Sequence, residues 1–267
     1  MASLVVLLLA AACTGDKPEP VDDTAPPSST ACPREGSGTI GAGDANGDSA
    51  VDLADAVVIL RAVANGGAAP SCTAGVDLVP DERLDLDDAF SLLLYLFEGG
   101  FSLPADVDCP GAVPLPAPAC SPLEARFSST GTVELRAESL AVEAWSLAVT
   151  AEGCTVTAAT TAGTLGASVI DTPAGLRDFG YDATFLADTG ATSAVVLGFT
   201  EAPALPAGAW SPVLALTFEQ GATCECTLRV DSTVTTLGEP VESLAVASGA
   251  AWPLVAEATI DVCGGGS

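Results

Sequence analysis

From Leu53 the apolar residues recur at helical spacing (Leu53, Val57, Ile59, Leu60 and Val63) until the run stops at Gly66 and Gly67. A second run with the same character, Leu86, Phe90, Leu93, Leu94 and Phe97, stops at Gly99 and Gly100. The pattern predicts two helices, each with one face to bury and the other helix as its nearest partner. After Pro122 the period changes to two, as in Val133/Leu135, Trp145/Leu147/Val149, Val195/Leu197/Phe199, Leu214/Leu216/Phe218 and Leu228/Val230, with Gly, Pro and Thr between the runs. Alternation of that length predicts short strands, about six to nine of them, and suits a β-sandwich.

Stretches without periodicity divide the chain. Residues 13–35 read as a Pro, Asp, Thr and Ser tether, and 110–122 (PGAVPLPAPACSP) as a stiffer linker of polyproline character. The expected organisation is a signal segment at 1–12, the tether at 13–35, a small helical module at 36–109, the linker at 110–122, a sandwich at 123–263 and a Gly-rich tail at 264–267. The fold class this predicts is multidomain α+β: a small all-α pair of loop–helix units followed by an all-β sandwich.

Each predicted helix is preceded by a loop dense in oxygen. A calcium ion takes six to eight oxygen ligands, and a twelve-residue loop supplies them from positions 1, 3, 5, 7, 9 and 12. Counting from Asp44 places Asp44, Asn46, Asp48, the Ala50 carbonyl, Asp52 and Asp55 at those positions. Counting from Asp77 places Asp77, Asp81, the carbonyl of Arg83, Asp85 and Asp88, but Val79 stands at position 3 and cannot ligate. The second loop thus reads either as a weakened calcium site, with Asp87 or water filling the gap, or as a metal-free relic held by packing. Both loops carry a non-glycine at position 6, Ser49 and Glu82, where a left-handed backbone costs on the order of 1 kcal/mol without glycine. The four closely spaced carboxylates of the first loop repel one another when empty, so folding there is expected to be linked to metal, and Ca2+ is favoured over Mg2+ by the flexible, carboxylate-rich loop.

The stretches GDANGDSAVDLADAVVIL and VDLVPDERLDLDDAFSLLLYLFEGG, two calcium loop–helix units without an entering helix, resemble the type I dockerin family. That resemblance implies calcium-dependent folding and docking onto a cohesin-type protein domain, usually in assemblies that degrade polysaccharide. Family members often present small hydroxylated residues at loop positions 10 and 11, where this chain has Leu53 and Ala54, then Leu86 and Asp87.

Composition narrows the rest. The net charge of −27 repels a phosphate backbone, so nucleic acid is not an expected partner, and a membrane is expected only through a lipid anchor. There is no histidine, which excludes imidazole bases and Ser-His-Asp or Cys-His catalysis. The opening MASLVVLLLAAAC is too short to span a bilayer. With Ala11 and Ala12 before Cys13 it resembles a bacterial lipoprotein signal, implying cleavage and acylation at Cys13 in the cell envelope. An ordinary secretory signal with Cys13 incidental is the alternative. Eight cysteines remain, four in each half, and behind an export signal they point to two disulfides per half with connectivity open. A metal cluster is the competing reading, with only Cys224 and Cys226 close together.

The C-terminal half loosely resembles the cohesin and carbohydrate-binding β-sandwich superfamily, on AWSLAVTAEGCTVTAATTAG and ATSAVVLGFTEAPALPAGAWSPVLALTFEQ. Trp145, Trp210 and Trp252 are then candidates for a sugar-stacking platform, against the alternative that they pack in the core. Glu134, Glu143, Asp178, Asp182 and Glu219 include no pair singled out by spacing for glycoside hydrolysis, and no enzymatic activity is expected. The function expected is that of a secreted, lipid-anchored calcium-binding surface protein that docks a protein partner. The alternative is an accessory part in polysaccharide degradation.

Overall fold

The computed structural model describes residues 30–34, 40–104, 107, 109, 112–165, 167, 180–197, 205–221, 224–230, 233–235 and 237–263. A two-residue strand β1 (Thr30–Ala31) precedes the helices. Helix α1 (Leu53–Asn65) begins at Asp52, whose extended backbone (φ −144°) breaks the helix while its carboxylate accepts the Ala54 N–H. The Asp55 carboxylate returns to the Asp52 N–H, completing a capping box. The helix ends at Gly66, left-handed at φ 63°, whose N–H closes on the Arg61 carbonyl. A single turn, α2 (Thr73–Val76), follows. Helix α3 (Leu86–Leu93) is boxed by Asp85 and Asp88 as α1 is by Asp52 and Asp55, and it runs on into a π-helical turn, Leu94–Glu98.

The remaining elements are strands: β2 (Ser121–Phe127), β3 (Val133–Ala137), β4 (Val142–Glu152), β5 (Cys154–Thr160), β6 (Tyr181–Ala187), β7 (Gly190–Val196), β8 (Ser211–Gln220), β9 (Glu225–Val230), β10 (Leu244–Ala247), β11 (Ala250–Pro253) and β12 (Ala256–Asp261). The periodic runs around Val133, Trp145, Leu214 and Leu228 fall on β3, β4, β8 and β9; of the run Val195/Leu197/Phe199, Val195 lies on β7, Leu197 follows its end and Phe199 lies outside the described residues. One sheet has the order β1-β2-β3-β8-β5. The other has seven strands, running β11-β10-β4-β7-β6 with β9 and β12 attached to β4. The long strand β4 pairs along one edge with β7 and along the other with β10 near its start and β9 near its end.

Trp145, Leu147 and Val149 of β4 point with Val195 and Leu228 into the core between the sheets, against Leu135 and Leu214. The opposite face of the same strands is built from small residues, Ala144 of β4 and Ala194 of β7, with Ala251 of β11 beside them, and the helices lie on it. Leu53, Val57, Leu60, Leu92, Leu93 and Phe97 share one cluster with those alanines and with Val196, Leu244 and Val246. Strand β7 is consequently buried along its whole length. Burial on both faces is the property of strands covered on both sides.

This corrects the predicted fold class. The chain is mostly β, with two sheets and, among the described residues, three short helices and one π turn, and the helices do not form an all-α unit with a core of their own. The physical reason is the area each helix must bury. A pair of short helices covers only part of its apolar surface by mutual contact, and α1 and α3 complete it on the alanine face of the seven-stranded sheet. The β-sandwich expectation holds, with more strands than the six to nine foreseen.

Four disulfides join Cys32 to Cys120, Cys72 to Cys109, Cys154 to Cys226 and Cys224 to Cys263, two in each half. The close pair Cys224 and Cys226 therefore bonds outward to different partners. Four such bonds fit an oxidising environment outside the cytoplasm. Among the described residues no helix is long and apolar enough to cross a membrane.

Candidate metal centre

The residues counted off from Asp44 fold into a tight loop held by its own carboxylates. Asp44 accepts the N–H of Gly47 (2.7 Å) and of Ser49 (3.0 Å) through its two oxygens. Asn46 Oδ1 accepts from Asp48 N–H, and Asp48 Oδ1 from Ala50 N–H, each at 2.9 Å. Asp55 closes the loop from the helix: one oxygen accepts from Ala45 and Asn46, the other from Asp52. Ser49 lies at φ 68°, the left-handed backbone anticipated for position 6.

The second loop repeats this skeleton. Asp77 accepts from Glu82 N–H (3.0 Å), Asp81 from Arg83 N–H (2.9 Å), and Asp88 from Leu78, Val79 and Asp85. Glu82 sits at φ 65°. One difference has a covalent cause. Gly47 donates to Asp44, but its counterpart Pro80 has no N–H, so Asp77 takes a longer bond from Asp81 at 3.3 Å instead.

Surroundings separate the two loops more than internal geometry does. Asp44, Asn46, Asp52 and Asp55 are 2%, 5%, 8% and 0% exposed. The Leu115 N–H reaches the Asn46 carbonyl at 2.7 Å, and the Asn46 amide reaches the Gly249 carbonyl. In the second loop Asp88 is buried, Asp77 and Asp85 are half-buried, and Asp81 and Arg83 are exposed.

Burial shapes the charges of the first loop. It holds the Asp44 carboxyl above its ordinary range against the pull of the Gly47 and Ser49 N–H groups. It pushes Asp52 up to about 6, helped by the charge of Asp48 and opposed by the Ala54 N–H and by Arg34. Asp55 is driven well above the usual carboxylate value, first by burial and then by the charge of Asp52. Carboxyls shifted this way resist ionisation because the protein compensates their negative charge incompletely. A divalent cation would supply the missing charge, and the donor set of Asp44, Asn46, Asp48, the Ala50 carbonyl, Asp52 and Asp55 has the all-oxygen character calcium takes. The residues therefore fit the ion in type and number. Their side-chain oxygens are engaged by loop N–H groups, by the Asn46 amide and by Arg34 rather than gathered at a point. Among the described residues the one group of three Cys, Asp or Glu ligand atoms within 4.8 Å of one another is Cys224, Asp261 and Cys263, and both of those cysteines are spent in a disulfide.

No family model matches the chain, and no curated protein does. What its loops and sheet faces bind has to follow from their own chemistry.

The other candidates sort by burial. Trp145 and Trp252 are fully buried in the core between the sheets, so neither can stack on a sugar. Trp210 is half-buried, with the guanidinium of Arg126 at 4.1 Å and that of Arg136 at 5.2 Å from its ring centre. Beneath it Arg126 pairs with Glu134 (2.7 Å) and Arg136 with Glu124 (2.8 Å), neighbours across β2 and β3. Glu143 pairs loosely with Arg61 at 3.5 Å, Asp182 accepts from Thr161 and Thr184, and Glu219 is exposed. Asp178 and Cys13 lie outside the described residues. Sequence reading missed Arg34, placed in the tether. It bonds Asp52 at 2.7 Å and pairs with Glu242, and no spacing rule marks a lone arginine two residues after a cysteine as a loop partner.

Proposed function

We propose that the protein is an extracellular, lipid-anchored calcium-binding protein whose loop–helix pair serves as a calcium-dependent docking element for a protein partner. The observation that carries this is the skeleton the two loops share at a 33-residue spacing, with left-handed backbone at Ser49 and Glu82 and buried carboxylates closing each loop from its helix. The apolar faces of α1 and α3 are already covered by the sheet. A partner therefore meets the outer side, where Val79 of the acidic second loop and Leu94 at the far end of α3 are 37% and 39% exposed. A cohesin-type domain is the partner class implied by the dockerin resemblance. Binding, not catalysis, is the role assigned, and Cys13 is the acylation site, so labelling with a radioactive fatty acid should be lost in Cys13→Ser.

The deciding experiment is calorimetric calcium titration of the full chain with its disulfides intact, since the helices share a core with the sheet. Circular dichroism with and without chelator accompanies it. At least one binding event, abolished by Asp44→Ala, is expected. No heat of binding and identical thermal unfolding in chelator would overturn the reading.

Trp210 favours a second reading. An indole held flat over a charge-paired layer, half open to solvent, is suited to the apolar face of a pyranose ring, which makes the outer face of β2 and β3 a polysaccharide contact. Retention by insoluble glycans that survives Trp210→Ala would remove it.

A further inference from the structure

We propose that Arg34 is the resident cation of the first loop, seated on the position-9 carboxylate so that it weakens calcium binding there and couples metal occupancy to the segment that delivers it. This rests on the calcium reading of that loop and adds its regulation.

The arginine is held from several sides. Its backbone N–H bonds the Ala251 carbonyl at 3.1 Å, and Cys32, two residues earlier, is tied to Cys120. One guanidinium nitrogen lies 2.7 Å from Asp52 Oδ2, and the other pairs with Glu242. The remaining oxygen of Asp52 caps α1 through the Ala54 N–H at 2.7 Å. Both oxygens of the position-9 carboxylate are therefore engaged, so a calcium ion reaches Asp52 through a bridging water or by displacing the guanidinium. A cavity of about 270 Å³ adjoins the pair, lined among others by Arg34, Asp52, Glu242 and Ser146, and leaves the side chain room to swing away.

The second loop provides an internal control. The residue 33 positions after Arg34 is Gly67, and among the described residues the ion pairs include none to Asp85, the position-9 counterpart. The guanidinium is thus a property of the first loop alone. Two cations drawn to one carboxylate group repel each other, and coupling is reciprocal: what fixes Arg34 weakens calcium, and calcium loosens Arg34.

The test is calcium affinity of the full chain by calorimetry for wild type, Arg34→Gln and Arg34→Lys, with circular dichroism confirming the fold of each. Arg34→Gln is expected to tighten the first-loop event by about tenfold, as removal of one nearby positive charge implies. Arg34→Lys, which keeps the charge, should stay near wild type, and in an Asn46→Ala background, where the first loop is crippled, Arg34→Gln should leave the remaining affinity unchanged. Wild-type binding that Arg34→Gln leaves unchanged or weakens would overturn the proposal while leaving the calcium reading intact. Absence of binding in every variant at millimolar calcium would remove the calcium reading, and the proposal with it.

Discussion

The two oxygen-rich loops share a hydrogen-bond skeleton and differ in where the fold puts them. The first is walled in by the 114–115 segment, by Gly249 and by Arg34, and burial there raises the pKa of Asp44, Asp52 and Asp55. The second faces solvent, with Asp81 exposed and Val79 where the first has Asn46. The comparison teaches that the backbone geometry of such a loop does not require a full ligand set. Both closing aspartates accept three N–H groups each, a structural role that persists at Val79's expense of one ligand. Burial then decides how strongly the empty loop needs a cation.

Removing the closing carboxylates tests this most severely. Asp55→Ala leaves three buried N–H groups without an acceptor and should cost about 3 kcal/mol in denaturant unfolding, with loss of first-loop calcium binding. Asp88→Ala should cost about 2 kcal/mol, its loop being wetter. Equal costs would mean that burial does not distinguish the loops. Restoring the missing ligand sharpens the comparison from the other side: Val79→Asn should tighten second-loop calcium binding by about tenfold, or about 1.4 kcal/mol, read as a second event in the titration.

Acidity comes next. Asp52 has its carboxyl raised to about 6 by burial, so its neutral form is favoured in the folded chain. Its stabilising contribution is full below the unfolded aspartate value of about 3.9 and is lost as pH rises through about 6. In chelator, urea unfolding should therefore show stability rising by about 1 kcal/mol between pH 7 and 5, and saturating calcium should reverse that slope. Asp52→Asn should make the chelator profile shallower, leaving the slope that the raised Asp44 and Asp55 carboxyls contribute. The smallest effect is conformational. Ser49→Gly and Glu82→Gly each relieve a left-handed non-glycine and should stabilise by about 0.5 kcal/mol, alike in both loops and measurable by thermal unfolding.

Much of this could be read in the sequence because it is local. Asp52 and Asp85 mark the helix starts, Gly66 and Gly99 the stops, and the left-handed positions fall at Ser49 and Glu82 as the loop count requires. The alternation of Trp145, Leu147 and Val149 located β4 and its inward face. What escaped is non-local. Ala144 and Ala194 carry no periodic signal of their own, yet their small side chains face the helices on the sheet. Arg34 meets Asp52 across 18 residues and Glu242 across 208, distances at which no periodicity carries information. The pairing of Cys224 with Cys263 and of Cys226 with Cys154 follows from which sheet each strand joins.

The Cys32–Cys120 bond spans 88 residues and sits where β1 meets β2. Tension arriving along the chain from its N-terminal side enters the sheet at Cys120, and the covalent shortcut carries it past both oxygen-rich loops and all three helices. They hang in a closed loop off the load path. If the chain is pulled through the proposed anchor, its oxygen-rich loops stay mechanically slack until that single bond is reduced.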